Sequence, residues 1–589
     1  MKKNTIYKKM ILAIFAFAVP FSFFSVAPDI SADEAIGASA PVSMEYIDYL
    51  VSGEADEYAP EMYDLDLYSA DMQPASLVTA SEFPEKYDLR SDGLVTPVKN
   101  QGSYGTCWSF SAMSSIETQL IKKHSDIDLS EWHLAYFTYT GNSQFQPIGS
   151  NIFLEGGHNN YAAAVLSQWI GPVNENRVPY GSSTELDEEL RYTADYHVQD
   201  VYNVDCWAND QRTHSIEEMK ELIIKGNALS AVYNSSSAYY NPFTYSAYCY
   251  DPDVSVDHGI TIVGWDDNYP KYNFNIGFQP TNNGAWIVKN SWGTGWGNKG
   301  YFYLSYEDKS LRDAACYMVE DSDNYSRNYQ YDTFGFSTVI SADFMQQSKS
   351  SYMANIFTAE ETEEVSAVAF YTVEPDAEYE ITVYTGLTSS SNPTSGVASK
   401  ATVDSEKYKG YHTIKLDEPV KVEEGQKFSV VVKLTNQTSP YVIPVEATVF
   451  FSVDGQFYYN LNYERIVSNT LSNQSFISSN ATKWTDTKKL VFRYLTQDYF
   501  YIKDSRSIVE VRPGNVCLKA FTSSLYEEVT GDINSDGKLD ISDLIIFRDY
   551  MTGTADLEEA QSVNADLNDD GKINIIDMVI LKSLFFMSE

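Results

Sequence analysis

Apolar residues recur at helical spacing directly after a cysteine at position 107. Phe110, Met113, Ile116 and Leu120 follow one another at intervals of three and four residues, and a short basic stretch comes next. This spacing is typical of an amphipathic helix that ends in basic residues. The pattern therefore predicts a helix that begins at Cys107 and places this cysteine at a helix N-terminus.

The hydrophobic pattern changes to strict alternation after about residue 321. The runs "YEITVYT" and "KFSVVVKL" alternate apolar and polar positions, and the turn-like "VEEGQ" precedes the second run. The side chains predicted to share one sheet face are Tyr379, Ile381, Val383 and Thr385 in the first run, and Phe428, Val430, Val432 and Leu434 in the second. Similar short runs continue to about residue 523, which predicts a β-sandwich over 321–523.

An internal repeat with a period of 34 residues closes the chain. "GDINSDGKLDISDLIIFRDYM" aligns with "NADLNDDGKINIIDMVILKSL", so that Asp532 falls on Asp566. Each acidic loop is followed by an apolar helical pattern, made of Leu544, Ile545, Phe547 and Tyr550 in the first copy and Met578, Val579, Leu581 and Leu584 in the second. Duplication of this kind indicates one small unit used twice. We therefore expect a small helical domain over 528–589.

The N-terminus has the pattern of a secretory signal. Four lysines precede an apolar stretch over 10–24, which is shorter than the ~20 residues that span a bilayer. We interpret 1–32 as a signal peptide and the acidic, weakly periodic stretch 33–82 as a leader, propeptide or flexible arm. A compact pattern then covers 83–320. These features predict a secreted, extracellular protein without a membrane span.

Charge and cysteine content narrow the classes of function. The 589 residues include 41 basic and 82 acidic side chains, for a net charge of -41, which repels a nucleic acid backbone. This acidity is consistent with a solubilised surface and with calcium binding. The five cysteines are scattered and odd in number, so the chain is not a disulfide scaffold, and its pairing stays open. They are Cys107, Cys206, Cys249, Cys316 and Cys517.

A lone cysteine is most often a buried apolar residue, so a catalytic role for Cys107 needs further support. Such a role requires a thiolate and a nearby base. A helix N-terminus favours the anion, and His258 in "VDHGITIVGWDD" lies at the start of an apolar strand, beside a cleft. Asn290 ends another apolar run and is suited to hold the second nitrogen of the imidazole, screened by Trp292. The amide of Gln101 and the Cys107 N–H would bind an oxyanion. The other histidines have settings that favour surface or structural roles: His124, His133, His158, His197, His214 and His412.

Three blocks, "NQGSYGTCWSF", "DHGITIVGW" and "VKNSWGTGWGNKGYFYLSY", resemble the signature blocks of papain-like cysteine proteases, in the same order. The resemblance implies an α+β protease domain that needs no cofactor for catalysis. It implies Gln101 as oxyanion donor, Cys107 as nucleophile, His258 as general acid and base, and Asn290 as the residue that orients the histidine.

The resemblance also covers residues that bind substrate, and the sequence departs from the family pattern at two places. "EGGHNN" resembles the glycine pair that binds substrate backbone, here Gly156 and Gly157, and Trp292 is expected to border the substrate. Tyr104 stands where many relatives have a bridged cysteine, so that disulfide is absent. "DNYPKYNFNIGFQPTNNG", between the histidine and the asparagine, is interpreted as an insertion near the site, with an effect on the cleft that the sequence does not reveal.

The two acidic loops carry oxygen ligands at the spacing that calcium requires, with a glycine at the sharp turn. The predicted ligands are Asp532, Asn534, Asp536, the Lys538 carbonyl, Asp540 and Asp543 in the first loop, and Asp566, Asn568, Asp570, the Lys572 carbonyl, Asn574 and Asp577 in the second. Loops followed but not preceded by a helix resemble the dockerin module. This resemblance implies two calcium ions and a cohesin partner on a cellulosome scaffold, contacted through Ile541, Ser542, Ile575 and Ile576.

The sandwich resembles, more loosely, the lectin-like domain of some bacterial relatives, which leaves carbohydrate binding and a structural role both open. Together these features predict a secreted cysteine endopeptidase that acts on protein or peptide substrates within a cellulosome-type complex. Two alternatives remain: a non-catalytic, scaffold-bound component that binds peptides or glycans, and an acyl transferase that uses the same cysteine and histidine chemistry.

Overall fold

The computed structural model describes most of the chain after residue 82. The described residues are 38–39, 83–140, 152–154, 156–204, 206, 212–252, 254–333, 335–343, 346–453, 456–458, 470–495, 507–525, 530–534, 538–557, 559–568 and 571–587. The predicted signal peptide lies outside these ranges, as does the predicted leader apart from residues 38–39.

Residues 83–321 combine helices with a sheet whose strand pairs are antiparallel apart from one parallel pair, at Ser246 and Tyr303. The helices are α1 Cys107–Leu120, α2 Glu131–Tyr139, α3 Asn159–Leu166 and α4 Arg212–Ile224. Strand β1 is Ala38–Ser39, and the strands of 83–321 are β2 Lys86–Asp88, β3 Tyr196–Val204, β4 Leu229–Tyr233, β5 Tyr240–Asn241, β6 Ser246–Ala247, β7 His258–Asp266, β8 Ala285–Lys289, β9 Tyr301–Ser305 and β10 Arg312–Asp321. The predicted helix does begin at Cys107.

The region after residue 321 is built from strands. They are β11 Arg327–Tyr329, β12 Thr338–Ser341, β13 Ser350–Thr358, β14 Glu363–Thr372, β15 Ala377–Thr385, β16 Val397–Ala398, β17 Thr402–Glu406, β18 Lys409–Val422, β19 Lys427–Thr435, β20 Ile443–Val453, β21 Gln456–Tyr458, β22 Ser475–Ser478, β23 Thr485–Asp486, β24 Phe492–Leu495, β25 Ser507–Val516 and β26 Leu518–Ser524. The predicted inward residues of β15 and β19 are buried, with Ile381, Val383, Phe428 and Val430 fully inaccessible, as period-two alternation requires. The exception is Thr385, which is partly exposed at the end of its strand.

One sheet crosses from the first region into the second, which the prediction of a separate sandwich did not include. Its strand order is β11-β26-β14-β18-β3-β10-β4-β7-β8-β9-β6-β5. The junction pairs β18 with β3, where Lys409 lies opposite Asn203 and Tyr411 opposite Val201. Gly410 has a φ of +134°, and a Cβ there would lie 1.9 Å from the carbonyl oxygen of Val201. Close backbone approach at the junction therefore requires glycine.

Two further sheets complete the second region, in the orders β16-β15-β19-β13-β22-β23 and β1-β12-β20-β25-β24. Their inner faces and those of β14 and β18 enclose a core of aliphatic and aromatic side chains. A second core lies between α1, α2 and α3 and the continuous sheet, and it includes Ala367, Tyr371 and Tyr411 of the second region. The two regions therefore share buried apolar surface as well as strands.

The C-terminal helices are α5 Ile541–Met551, α6 Glu559–Ala565 and α7 Ile575–Met587. Asp540 caps α5 in a capping box with Asp543, so each acidic loop leads directly into a helix. Phe547 and Leu581 are fully buried, but Ile545 is 40% and Val579 58% exposed. The apolar residues of α5 and α7 are thus divided between buried and exposed positions.

Among the residues that the structure describes, none of the helices is both long and apolar enough to cross a bilayer.

Candidate active site

The start of α1 is held in the middle of the protein. All but one residue of this helix are buried, and Cys107 itself is 4% exposed. The turn before it is fixed on one side by a hydrogen bond from the Gly105 N–H to the carbonyl of Phe153 (2.8 Å), and on the other by a 2.6 Å bond between the hydroxyls of Thr106 and Tyr180. The first N–H groups of a helix have no partners within it and attract negative charge. The site thus offers a stabilising environment for an anion at residue 107.

His258 and Asn290 lie side by side at the ends of neighbouring strands. His258 is the first residue of β7, Asn290 directly follows β8, and the two strands pair antiparallel. His258 Nε2–H donates to Asn290 Oδ1 at 2.7 Å, and the same oxygen accepts the Ser291 N–H at 2.7 Å. Because the amide oxygen only accepts hydrogen bonds, the neutral ring carries its proton on Nε2. Nδ1 is then the atom that can accept a proton.

The environment of the His258 ring keeps it uncharged. Burial lowers the pKa of His258 to about 4, against the opposing effects of the Asn290 hydrogen bond and of the Asp257 carboxylate. Trp292 stacks on the ring with centroids 4.4 Å apart, so water does not reach the hydrogen bond from this side. A neutral imidazole with one fixed tautomer is suited to act as a general base.

Strand β7 meets α1 without a gap. A Cβ at Gly259 would lie 2.9 Å from the backbone carbonyl atoms of Cys107 and from the nitrogen of Trp108. Real Cβ atoms do not approach backbone so closely, hence the residue after His258 is in direct contact with the first turn of α1. The structure thereby brings the predicted nucleophile and the predicted base to adjoining positions.

Gln101 is buried next to the same strand end. Its N–H donates to the carbonyl of Ser291 (2.8 Å), its Oε1 accepts the Ser291 hydroxyl (2.6 Å), and its Nε2 donates to the carbonyl of Tyr104 (2.8 Å). A side-chain amide has two N–H donors, so this arrangement fixes one of them and fits an oxyanion donor with the other.

The predicted substrate-binding glycines lie next to the first turn of α1. A Cβ at Gly157 would come within 2.5 Å of the indole of Trp108, so only glycine fits there. The carbonyl of Gly156 accepts a hydrogen bond from the Tyr139 hydroxyl. The segment lies just before α3, against the first turn of α1, where a peptide backbone can run alongside it.

A cluster of buried charges, which the sequence did not predict, lies beneath the site. Lys99 Nζ lies 2.8 Å from Glu117 and 2.7 Å from Glu131, while Lys289 donates to the hydroxyls of Thr96 (2.9 Å) and Ser114 (3.0 Å). Burial lowers the pKa of Lys289 to about 8 and raises that of Glu131. Lys289 immediately precedes Asn290, so the cluster fixes the end of β8. Its members are far apart in sequence, and no local pattern indicates them.

Several of the other histidines are buried, which favours the structural role over the surface role among the two that the sequence left open. His133, His158, His197 and His412 are between 0 and 6% exposed. Burial lowers the pKa of His133 to about 4 and that of His158 to about 3. These rings are structural, as the prediction allowed, but they lie in the interior.

The first C-terminal loop gathers carboxylates in a small volume. Asp543 is fully buried and accepts the N–H groups of Ile533 (2.8 Å) and Asn534 (3.2 Å) through one oxygen. Burial and the nearby Asp532 raise the pKa of Asp543. A buried carboxylate beside another carboxylate is costly unless a cation joins them. An all-oxygen donor set of this kind fits calcium.

The second loop repeats the arrangement. Asp577 is fully buried and accepts the N–H groups of Leu567 (3.0 Å) and Asn574 (2.9 Å). Gly571 has a φ of +73°, which allows its N–H to reach Asp566 at 2.7 Å. Among the predicted ligands, Asp536 and Asp570 lie outside the described residues. The described ones, Lys538, Asp540, Asn568 and Lys572 included, occupy the two loops that precede α5 and α7.

Three family models match successive parts of the chain. Residues 83–323 match the papain family cysteine protease, 328–522 the lectin like domain and 530–585 the dockerin type I domain. The predicted fold classes of the three units are confirmed.

Individual relatives resemble the first unit. Procathepsin L of Mus musculus is 31% identical over 253 residues, which covers 40% of this chain and 66% of the relative. The thiol protease aleurain of Arabidopsis thaliana is 28% identical over 254 residues, or 42% and 63%. The chain thus spans slightly less than two thirds of the length of these relatives.

Solved structures extend the likeness to the second unit. The cysteine protease and lectin-like domains of Cwp84, a surface layer associated protein of Clostridium difficile, share the fold with a TM-score of 0.63 at 24% identity, over 83% of this chain and 98% of theirs. Clostridial Cwp84 after propeptide cleavage gives 0.58 at 26%, over 74% and 99%. Residues 83–323 are therefore similar to papain family cysteine proteases, and a stretch similar to a lectin-like domain and one similar to a dockerin type I domain follow them.

Proposed function

We propose that this protein is a secreted cysteine endopeptidase that hydrolyses peptide bonds through Cys107, His258 and Asn290, and that its dockerin attaches it to a cellulosome-type scaffold. The observation that carries the proposal is the 2.7 Å hydrogen bond between His258 and Asn290, directly beside the first turn of α1. The hydrogen bond leaves Nδ1 as the proton acceptor of a buried imidazole, and the next residue, Gly259, contacts the backbone of Cys107 at the helix N-terminus.

In the acylation half of the reaction, Cys107, His258 and Gln101 each have a defined role. The Cys107 thiol gives its proton to His258 Nδ1, and the thiolate attacks the carbonyl carbon of the peptide bond. The developing oxyanion accepts hydrogen bonds from Gln101 Nε2 and from the Cys107 N–H. The imidazolium then returns the proton to the leaving amine as the C–N bond breaks, which leaves a thioester on Cys107.

Hydrolysis of the thioester repeats the proton transfers with water. Neutral His258 takes a proton from a water molecule as the water attacks the thioester carbonyl. The protonated ring then gives this proton to the departing sulfur, which restores the thiol. Asn290 holds the imidazole in one orientation through both halves, so that one nitrogen serves both transfers.

The test is cleavage of a diverse peptide library by the secreted chain under reducing conditions, read by mass spectrometry. Wild type is expected to produce new termini, and Cys107→Ala none. Cys249→Ala is the matched control, because Cys249 is also a buried thiol, but burial and Asp308 raise its pKa to about 11. Cross-linked products would identify an acyl transferase instead. An intact library with wild type would leave the alternative of a non-catalytic binding component.

Attachment to a scaffold is supported by the dockerin and by what its helices leave exposed. Ile541, Ile575 and Ile576 are 53 to 62% exposed at the starts of α5 and α7, with Ser542 beside the first of them. Exposed branched residues at two related positions are suited to bind an apolar patch on a cohesin domain. Two calcium ions, one in each loop, would fix these helix starts. We propose an extracellular location on these grounds, while carbohydrate binding by the lectin-like domain stays a prediction.

A further inference from the structure

We propose that Tyr180 is a positioning residue for the oxyanion site, because its hydroxyl fixes both ends of the segment 101–107 that carries the two oxyanion donors. We call this segment the oxyanion loop. It begins at Gln101, whose side-chain amide is one proposed donor, and ends at Cys107, whose backbone N–H is the other. The inference deepens the proposed function and rests on it, since it assigns a role in the same active site to a residue far from the nucleophile in the sequence.

The hydroxyl of Tyr180 makes two hydrogen bonds, one at each end of the oxyanion loop. It donates to the backbone carbonyl of Gln101 at 2.9 Å, and its oxygen lies 2.6 Å from the hydroxyl of Thr106, the residue before Cys107. A phenol carries a single hydroxyl proton and a carbonyl can only accept, so the Thr106 hydroxyl is the donor of the second bond. The direction of the bonds is therefore fixed from Thr106 through Tyr180 to Gln101.

The bond to Thr106 holds the backbone directly before the nucleophile. Thr106 is the N-cap residue of α1, a position at which a threonine side chain commonly accepts a backbone N–H of the first turn. Within the described first turn of α1, the Thr106 side chain makes no such bond, and its hydroxyl is bonded to Tyr180 instead. Its carbonyl accepts the N–H groups of Ser109 (3.0 Å) and Phe110 (3.2 Å), which starts the helix. Tyr180 thus fixes the point from which the Cys107 N–H projects.

The bond to Gln101 completes the fixation of the other donor. Ser291 holds the backbone N–H and the Oε1 of Gln101, and the carbonyl of Tyr104 accepts one proton of its Nε2. The backbone carbonyl is the remaining polar group of Gln101, and Tyr180 is its donor. Gln101 is 6% and Thr106 1% exposed, so water has little access to replace the Tyr180 hydroxyl. Its loss would leave a buried carbonyl without this donor and a buried hydroxyl without this acceptor.

The ring of Tyr180 is itself held by three other aromatic rings. It packs edge to face on Phe110 at 4.9 Å, on Trp132 at 5.0 Å and on Tyr104 at 6.1 Å, measured between ring centroids. Its backbone N–H donates to Glu175 Oε1 at 2.6 Å. Burial raises the pKa of the Tyr180 hydroxyl, so this group stays protonated and remains a donor at neutral pH. The hydroxyl is therefore a fixed point for the oxyanion loop.

A fixed oxyanion loop matters because oxyanion stabilisation depends on donors that are in place before the reaction. Such donors need no reorganisation when the tetrahedral intermediate forms. A misplacement of about 1 Å can lower the rate of an enzyme about a hundredfold. An interaction that acts on the transition state and not on the bound substrate lowers kcat without raising KM. We expect this pattern when the Tyr180 hydroxyl is removed.

The experiment replaces Tyr180 by phenylalanine, which removes the hydroxyl and keeps the ring. With a fluorogenic peptide amide, kcat should fall about ten- to hundredfold, while KM should change less than about twofold. The rate at which iodoacetamide alkylates Cys107 should be retained, because displacement of iodide by the thiolate develops no charge on a carbonyl oxygen. Tyr136→Phe is the matched control and should leave kcat unchanged. Tyr136 packs on Phe153 in the same aromatic cluster, but its hydroxyl donates to the carbonyl of Leu186 at 3.4 Å.

Two further variants test the route through which the hydroxyl acts. Thr106→Val removes the other hydroxyl with little change of shape, and it should also lower kcat while KM and the alkylation rate are retained. This variant keeps the assignment testable if Tyr180→Phe does not fold. In the Gln101→Ala protein only one oxyanion donor remains, so alignment of the pair no longer matters. Adding Tyr180→Phe to it should lower kcat less than about threefold further, because residues that act as a unit are not additive.

The other outcomes overturn the inference in different ways. An unchanged kcat in folded Tyr180→Phe protein would refute the positioning role and leave the proposed peptidase intact. Equal losses of kcat and of the alkylation rate would assign Tyr180 to the thiol or to the fold as a whole. A loss of the same size with and without Gln101→Ala would show that the hydroxyl acts independently of the oxyanion donors. Wild type that leaves the peptide intact under reducing conditions would remove the proposed function itself, and the role of Tyr180 with it.

Discussion

Replacing Asn290 by alanine tests whether the hydrogen bond to His258 contributes to catalysis. The bond is 2.7 Å long, and its two residues are 4% and 2% exposed, so water cannot take the place of the lost amide. Leaving a buried donor without an acceptor costs about 1–3 kcal/mol. At about 1.4 kcal/mol for each factor of ten in rate, kcat/KM should fall roughly ten- to hundredfold.

The pH profile separates this role from a general loss of structure. The Asn290 hydrogen bond raises the pKa of His258 against the effect of burial, because it stabilises the protonated ring. Its removal should therefore lower that pKa and move the acidic limb of the kcat/KM profile, below which the protonated ring cannot act as a base, to lower pH.

The assay is hydrolysis of a fluorogenic peptide between about pH 2.5 and 9, together with the rate at which iodoacetamide alkylates Cys107. Asn436→Ala is the matched control, because Asn436 is a buried asparagine in the lectin-like domain whose side chain bonds the carbonyls of Ser439 and Tyr441. It should lower stability without moving the profile. A folded Asn290→Ala protein with less than a twofold change in kcat/KM and an unmoved limb would refute the assigned role.

Three further predictions concern stability and calcium. Burial lowers the pKa of His133 to about 4, so between pH 6.5 and 4 the unfolded chain takes up a proton that the folded protein does not. This linkage should lower the free energy of unfolding of wild type by up to about 3 kcal/mol as the pH falls. His133→Gln should remove that loss, measured by denaturant unfolding at a series of pH values. The prediction would be wrong if the free energy of unfolding of His133→Gln fell with decreasing pH as steeply as that of wild type. Gly410→Ala should lower stability by about 3 kcal/mol or more through the clash with Val201, and a Tm shift below about 2 °C would show that the junction tolerates a side chain. Asp532→Ala combined with Asp566→Ala should abolish calcium uptake in calorimetry and the binding of cohesin, whereas undiminished uptake would place the ions elsewhere.

The candidate catalytic residues could be predicted from the sequence because each occurs in a short block with local signals. Cys107 starts a helix whose apolar spacing is visible in the sequence. His258 begins one apolar strand and Asn290 directly follows another, so the places of these residues in the fold follow from their neighbours in the sequence. The structure adds the 2.7 Å hydrogen bond that joins two residues 32 positions apart. No periodicity encodes such a contact, because it depends on the pairing of β7 with β8.

The buried charges and the position of the insertion could not be predicted from local sequence signals. Lys99, Glu117 and Lys289 are scattered over almost two hundred positions, and a single charged residue in a sequence is normally interpreted as part of a solvated surface. The insertion at 267–284 was expected to lie near the site, but it joins the ends of β7 and β8 that are remote from His258 and Asn290, since Asp266 pairs with Ala285.

The lectin-like domain contributes to the active site through the shared sheet. Strand β3 is paired on one side with β10 of the protease domain and on the other with β18, and the core beneath α1 includes Tyr371 and Tyr411. Without the second domain, β3 would present an open edge, and this core would lose part of its wall, both of which favour aggregation. Helix α1 is packed on that core and positions Cys107. The protease and lectin-like domains are therefore one cooperative unit, and the geometry of the nucleophile depends on residues more than two hundred and sixty positions away.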